Sequence, residues 1–148
     1  MSQEDEIFVL PIPTPFPVGD VNCYVLRTKT ETILIDCGPD TEQAWQAMQK
    51  GLAHIGLTVS MLDKVIVTHH HADHAGMAYR FSDQGIPIYG HARLRPYLEQ
   101  DETFLSQGDD FLQGLAISFG VPEEIRTLLP SYMSALKWLG KGRLDHVL

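Results

Sequence analysis

Four of the chain's seven histidines fall within six residues, His69 to His74, directly behind the apolar run Val65-Ile66-Val67. Those two segments want opposite surroundings. The short β-branched run reads as a buried strand, whereas four imidazoles and Asp73 need solvent, partners or a cation. A strand that ends in such a cluster places it at the carboxyl edge of a sheet, where α/β folds carry their sites.

The flanking segments agree with that architecture. Ile7 to Ile12 is β-rich, but prolines at 11, 13, 15 and 17 restrict it to an edge strand or an extended loop. Val21–Leu26 and Thr32–Asp36 read as strands joined by the polar turn Thr28–Glu31, and so as a hairpin. Asp40 or Thr41 then caps a helix whose apolar face is Trp45, Met48, Leu52 and Ile55, stopped by Gly56. After the histidines, the pattern predicts a helix over 75–84, a strand over 86–89 and a helix over 91–100. From Asp101 onward it is helical and apolar, with Pro122-Glu123-Glu124 opening a further helix. The ending, Arg143 to Leu148, reads as the start of another strand. Strands alternating with helices after a hairpin imply a mixed sheet covered by helices, an α/β (α+β) fold. The expected division is 1–100 for sheet and histidine loop and 101–148 for a helical segment.

Composition excludes some functions. With 148 residues the chain is one domain, large enough to bury a core unaided. Its 19 acidic against 11 basic residues give a net charge of −8, which disfavours a nucleic-acid partner. No apolar stretch approaches the roughly 18 residues of a membrane span, and the acidic Met1–Glu6 is no secretory signal. Cys23 and Cys37 lie in apolar runs and read as buried thiols of a cytoplasmic protein.

Within the cluster, His69 and His71 are two apart, so an extended backbone points both rings to one side. Asp73 and His74 sit where the chain turns into a helix and serve a neighbouring position, while His70 projects the other way. Imidazole nitrogen with carboxylate oxygen suits Zn2+, Fe2+ or Mn2+. A solvated loop, or adventitious metal binding without catalysis, is the competing reading of the same residues.

The segment His69-x-His71-x-Asp73-His74, with Thr68 before it and Ala75-Gly76 after it, resembles the HxHxDH motif of the metallo-β-lactamase superfamily. Val21-Asn22-Cys23-Tyr24-Val25-Leu26 resembles that family's Asn-x-Tyr strand, and Ile33 to Gly38 its strand ending in Asp-x-Gly. Ile88 to His91 resembles the strand after the motif, so the likeness runs over about residues 7 to 95. The resemblance implies half of an αββα sandwich. It also implies two metals, zinc foremost, with His69 and His71 on the first and Asp73 and His74 on the second. Asp73 would in addition orient a metal-bound hydroxide. Asp36 would steer the motif loop by accepting the outer N–H of a ligating ring. The implied activity is glyoxalase II-like hydrolysis of an ester, thioester or lactone. An iron-dependent oxidoreductase such as a sulfur dioxygenase, or a non-catalytic metal-binding module, is the alternative.

Two departures matter. Met77 stands where the family often has a second glycine. The family's later Gly-His-Thr-x-Gly-His segment, which completes the first site, and its later Asp and His have no counterpart here, and His146 is the only histidine after His91. The expectation is therefore a truncated, inactive N-terminal fragment that binds metal weakly. Its uncovered sheet face would pair it into a homodimer.

Overall fold

The computed structural model of the protein describes residues 5–129 and 131–148. A six-stranded mixed sheet runs β1 (Glu6–Ile12), β2 (Val21–Arg27), β3 (Thr32–Ile35), β4 (Lys64–Val67), β5 (Ile88–Gly90) and β6 (His146–Val147). The spatial order equals the chain order. β1, β2 and β3 form an antiparallel meander, and β3 to β6 are parallel. Parallel neighbours need crossovers, and helices provide the first two. α1 (Glu42–His54) lies between β3 and β4, with α2 (Ala72–Ala75) and α3 (Ala78–Ser82) between β4 and β5. Before β6 come α4 (Arg95–Leu98), α5 (Glu102–Ser118), α6 (Glu123–Arg126) and α7 (Tyr132–Ala135).

Period-two alternation divides the sheet into two unlike faces. Phe8, Val25, Leu34, Val65 and Ile88 align across five strands, and all but Phe8 are fully buried. Met48 and Leu52 of α1 and Phe81 of α3 complete this core at zero exposure, with Trp45 edge-on to Phe81 at 5.4 Å. Shifted by one residue, Val9, Tyr24, Ile35, Ile66, Tyr89 and His146 form a row across all six strands. None of these is buried.

β1 is an edge strand and keeps Pro11 within it, as a strand with one unpaired side allows. Thr41 caps α1, accepting from the Ala44 amide at 3.0 Å, a bond whose loss costs about 1 kcal/mol. Both cysteines are buried and unpaired.

The single helix expected over 75–84 is instead two. It starts earlier, at Ala72, and breaks at Gly76-Met77. The chain is crossed at the break, and only glycine fits: a Cβ on Gly76 would lie 2.5 Å from the Ala72 carbonyl oxygen, the Asp40 amide nitrogen and the Trp138 carbonyl oxygen. Through that gap the Gly140 amide donates to the Gly76 carbonyl at 3.0 Å, and the Asp40 amide donates to the Trp138 carbonyl at 2.8 Å. The helix expected over 91–100 is likewise a 3-10 turn over Ala92–Leu94 followed by α4, with Pro96 in the first turn where no amide is needed.

Candidate metal centre

β3 and β4 end side by side, and their carboxyl ends bring Asp36 against Thr68. Asp36 has φ +59°, a left-handed conformation that only Asn and Asp adopt with any ease among residues bearing a side chain. Its own amide donates to the Ile66 carbonyl at 2.9 Å. The side chain is thereby turned under the histidine loop, where it is 5% exposed. Gly38, two residues on, has φ +80°, and a Cβ there would meet the Ile12 side chain at 2.7 Å.

Both oxygens of the Asp36 carboxylate are engaged. Oδ1 accepts from the Thr68 amide at 2.8 Å and the Thr68 hydroxyl at 2.9 Å. Oδ2 stands 2.8 Å from both Thr68 Oγ1 and His74 Nδ1. Thr68 Oγ1 is also 3.0 Å from His69 Nδ1.

This network assigns the tautomers. A carboxylate only accepts, so His74 Nδ1 carries the proton. The Thr68 hydroxyl proton is committed to Asp36, so its oxygen accepts from His69 Nδ1. In both rings Nε2 is left as the lone-pair atom. His69 Nε2 then lies 3.2 Å from His71 Nδ1, and His74 Nε2 lies 3.6 Å from Asp73 Oδ2. Two nitrogens held 2.0–2.1 Å from one zinc at the tetrahedral angle stand roughly 3.3–3.4 Å apart. The His69–His71 pair has that spacing, and the donor set is of the right chemistry. The two pairs adjoin, with the His69 and His74 ring centroids 4.1 Å apart. Asp36, His69 and His74 also form a group whose donor atoms lie within 4.8 Å of one another. The Asp36 oxygens in that group are already engaged by protein donors.

Burial, then the neighbouring His74 and His71 rings, lower the His69 pKa from its ordinary value against the pull of Asp36 and Asp73. A depressed pKa keeps the ring neutral, the form that ligates a metal. The backbone beneath is fixed too: the Cys37 amide donates to the His74 carbonyl at 2.8 Å, and the Cys37 thiol, fully buried, donates to it at 3.2 Å.

The remaining histidines are placed elsewhere. His70 stacks on Tyr97 at 4.0 Å. His91 Nδ1 accepts the Arg93 amide at 3.2 Å. His54 ends α1. Sequence reasoning assigned no task to Thr68, which joins Asp36 to His69, nor to Tyr97, which backs His70. Thr68 was visible only as a flank of the motif, and no spacing rule predicts that Tyr97, 27 residues downstream, would reach His70.

Comparison with known proteins accords with this arrangement. Residues 16–140 match the model of the metallo-beta-lactamase superfamily. The chain belongs to that superfamily. It is 42% identical over 122 residues to the "Probable metallo-hydrolase YqjP" of Bacillus subtilis (strain 168), covering 82% of this chain and 37% of that protein. The "Beta-lactamase-like protein 2 homolog" of Caenorhabditis elegans is 34% identical over 83 residues, 52% of this chain and 27% of that one. Among solved structures, the metallo-beta-lactamase family protein TTHA1429 of Thermus thermophilus superposes with a TM-score of 0.71 at 25% identity. That match covers 96% of this chain and 45% of the other. The chain thus spans less than half the length of these relatives. Superfamily membership implies divalent metal binding, and Asp36, His69 and His74 form a candidate group for it among the described residues. No helix among the described residues is long and apolar enough to cross a membrane.

Proposed function

We propose that this chain supplies the metal-binding half of a zinc-dependent hydrolase acting on an ester, thioester or lactone. The observation that carries the reading is that Thr68 and Asp36 engage Nδ1 of His69 and of His74, which leaves Nε2 of each ring as the nitrogen to offer a cation. His69 and His71 would hold one ion, and Asp73 and His74 the other. A divalent cation there supplies Lewis acidity and lowers the pKa of a coordinated water to near neutrality. Asp73 carries a second role: with one oxygen toward His74, its other can orient a water for attack. Asp36 and Thr68 touch no substrate and act by holding imidazole tautomers. The name of the Bacillus subtilis relative supports hydrolysis over the oxidative alternative.

Two protein donors per ion leave each site short of the three that a catalytic zinc usually takes. The 148-residue chain is therefore expected to bind zinc weakly and to be inactive alone. Calorimetric titration tests this, and tight binding of two ions per chain would contradict it. For the activity, the gene product containing this chain is stripped with chelator, reloaded with zinc, iron or manganese, and offered thioester, lactone and aryl-ester panels. Zinc-dependent cleavage is expected. Oxygen consumption with iron, and no cleavage, would refute hydrolysis.

A second copy is proposed as the partner of the unburied sheet face. Its row of Val9, Tyr24, Ile35, Ile66 and Tyr89 is apolar and runs across five strands, and such faces drive association. Sedimentation should show a dimer that Ile35→Lys converts to monomer, and a wild-type monomer would count against the pairing.

A further inference from the structure

The loop's far side opens onto a second feature that the metal chemistry does not use. Tyr97 of α4 stands at the junction of three cavities. One, of about 380 Å³, runs past Thr68, His69, His70, His91, Arg93 and Leu94. The second is a small, partly open cavity of about 70 Å³. In it His70 and His71 face Leu105, Leu136 and Leu139, with Ala135 on its wall. The third is a groove of about 290 Å³ along α5, edged by Phe104, Phe111 and Leu112. Tyr97 and Tyr132 line both apolar spaces. The aromatic rings form one wall: His70 stacks on Tyr97, Phe104 meets Tyr97 edge-on at 5.3 Å, and Tyr132 lies 5.7 Å from it.

We infer that the small cavity and the α5 groove together form the subsite for the apolar acyl group of the substrate, continuous with the metal centre through His70 and His71. The inference deepens the hydrolase reading and rests on it for the word substrate. Three observations favour an acyl chain as occupant. The inner cavity is walled by leucine and alanine apart from its histidine and tyrosine rings. Its volume of about 70 Å³ and the apolar wall of Ala72, Leu105, Ala135, Leu136 and Leu139 suit the end of an alkyl chain. It touches His71, so a chain lying there brings its carbonyl end to the histidines. The groove beyond it continues the apolar lining, with Phe104 and Phe111 left 42% and 68% exposed. An ester or thioester of a straight, short-to-medium acyl chain fits this shape, its polar end lying in the cleft beside Arg93.

The test uses the metal-free 148-residue chain and straight-chain alkanols from ethanol to octanol, followed by NMR shifts of the Leu105, Leu136 and Leu139 methyl groups. Dissociation constants should fall about fourfold per added methylene, the ratio equivalent to ~0.8 kcal/mol per buried CH2, and level off once the cavity and groove are filled. Ala135→Leu fills the inner cavity and should abolish the trend. Phe111→Ser, on the outer rim, should keep it for short alkanols and truncate it for long ones. Unshifted methyl groups, or an undiminished trend in Ala135→Leu, would overturn the subsite. So would a dimer in sedimentation that Phe111→Ser dissociates, since the groove would then belong to a second copy. The readout requires neither metal nor turnover. A positive alkanol series with no ester cleavage by the gene product therefore refutes the hydrolase reading alone. Cleavage indifferent to acyl length refutes the subsite alone.

Discussion

Replacing Asp36 with asparagine isolates what its carboxylate does. Asparagine tolerates the left-handed φ of +59° and retains one oxygen for the Thr68 amide and hydroxyl, at 2.8 and 2.9 Å. What changes is the atom 2.8 Å from His74 Nδ1. An amide NH2 there donates, so Nδ1 must accept and the proton moves to Nε2. That removes the lone pair which now lies toward Asp73. Restoring it for metal binding sets two donors against each other, at about 1–3 kcal/mol for the unmade bond. Metal affinity should fall roughly 5- to 150-fold, in line with the 10- to 100-fold typical of groups that orient ligating histidines. The metal-free protein loses only the added strength of a charged acceptor, about 1 kcal/mol, so its Tm should drop by roughly 2–4 °C. Competition with a chromophoric chelator measures the affinity, and nitrogen-15 correlation spectra of His74 report the tautomer. If the Asp36→Asn protein holds zinc within twofold of wild type and His74 keeps its proton on Nδ1, the tautomer argument fails.

Three further outcomes follow from the packing. Gly76→Ala places a methyl group 2.5 Å from three backbone atoms, none of which can swing aside as a side chain would; a loss of about 1–3 kcal/mol is expected, and an unchanged Tm would contradict the close approach. Cys23 and Cys37 are both at zero exposure, and burial pushes both thiols above their ordinary pKa, so a thiol-specific chromogenic reagent should react at the unfolding rate in buffer and at once in denaturant. Zinc at 100 times its dissociation constant should stabilise the fold by about 2.7 kcal/mol, and chelator should reverse the shift; a Tm indifferent to both would mean that the ion does not bind the native histidine loop.

Much of the fold was legible in local pattern. The proline-bearing edge strand, the hairpin, the amphipathic helix behind Thr41 and the buried Val65–Val67 strand all rest on alternation, turn chemistry or capping, which are properties of adjacent residues. The candidate ligands were legible for the same reason, since the short step from His69 to His74 keeps them together whatever the remaining chain does. The helices after the histidine loop were misjudged where long-range contacts override periodicity. Gly76 and Met77 read as helix interior, yet the Trp138–Gly140 segment passes over them and takes the Gly76 carbonyl for its own hydrogen bond.

The sequence alone determined which side chains stand as candidates for a cation, because residue identity and near-neighbour spacing are written in six consecutive residues. Only the tertiary structure decided which nitrogen of each ring is free. Asp36 lies 32 residues before Thr68 and 38 before His74, and a carboxylate can assign a proton only once parallel strand pairing has carried it within hydrogen-bonding distance.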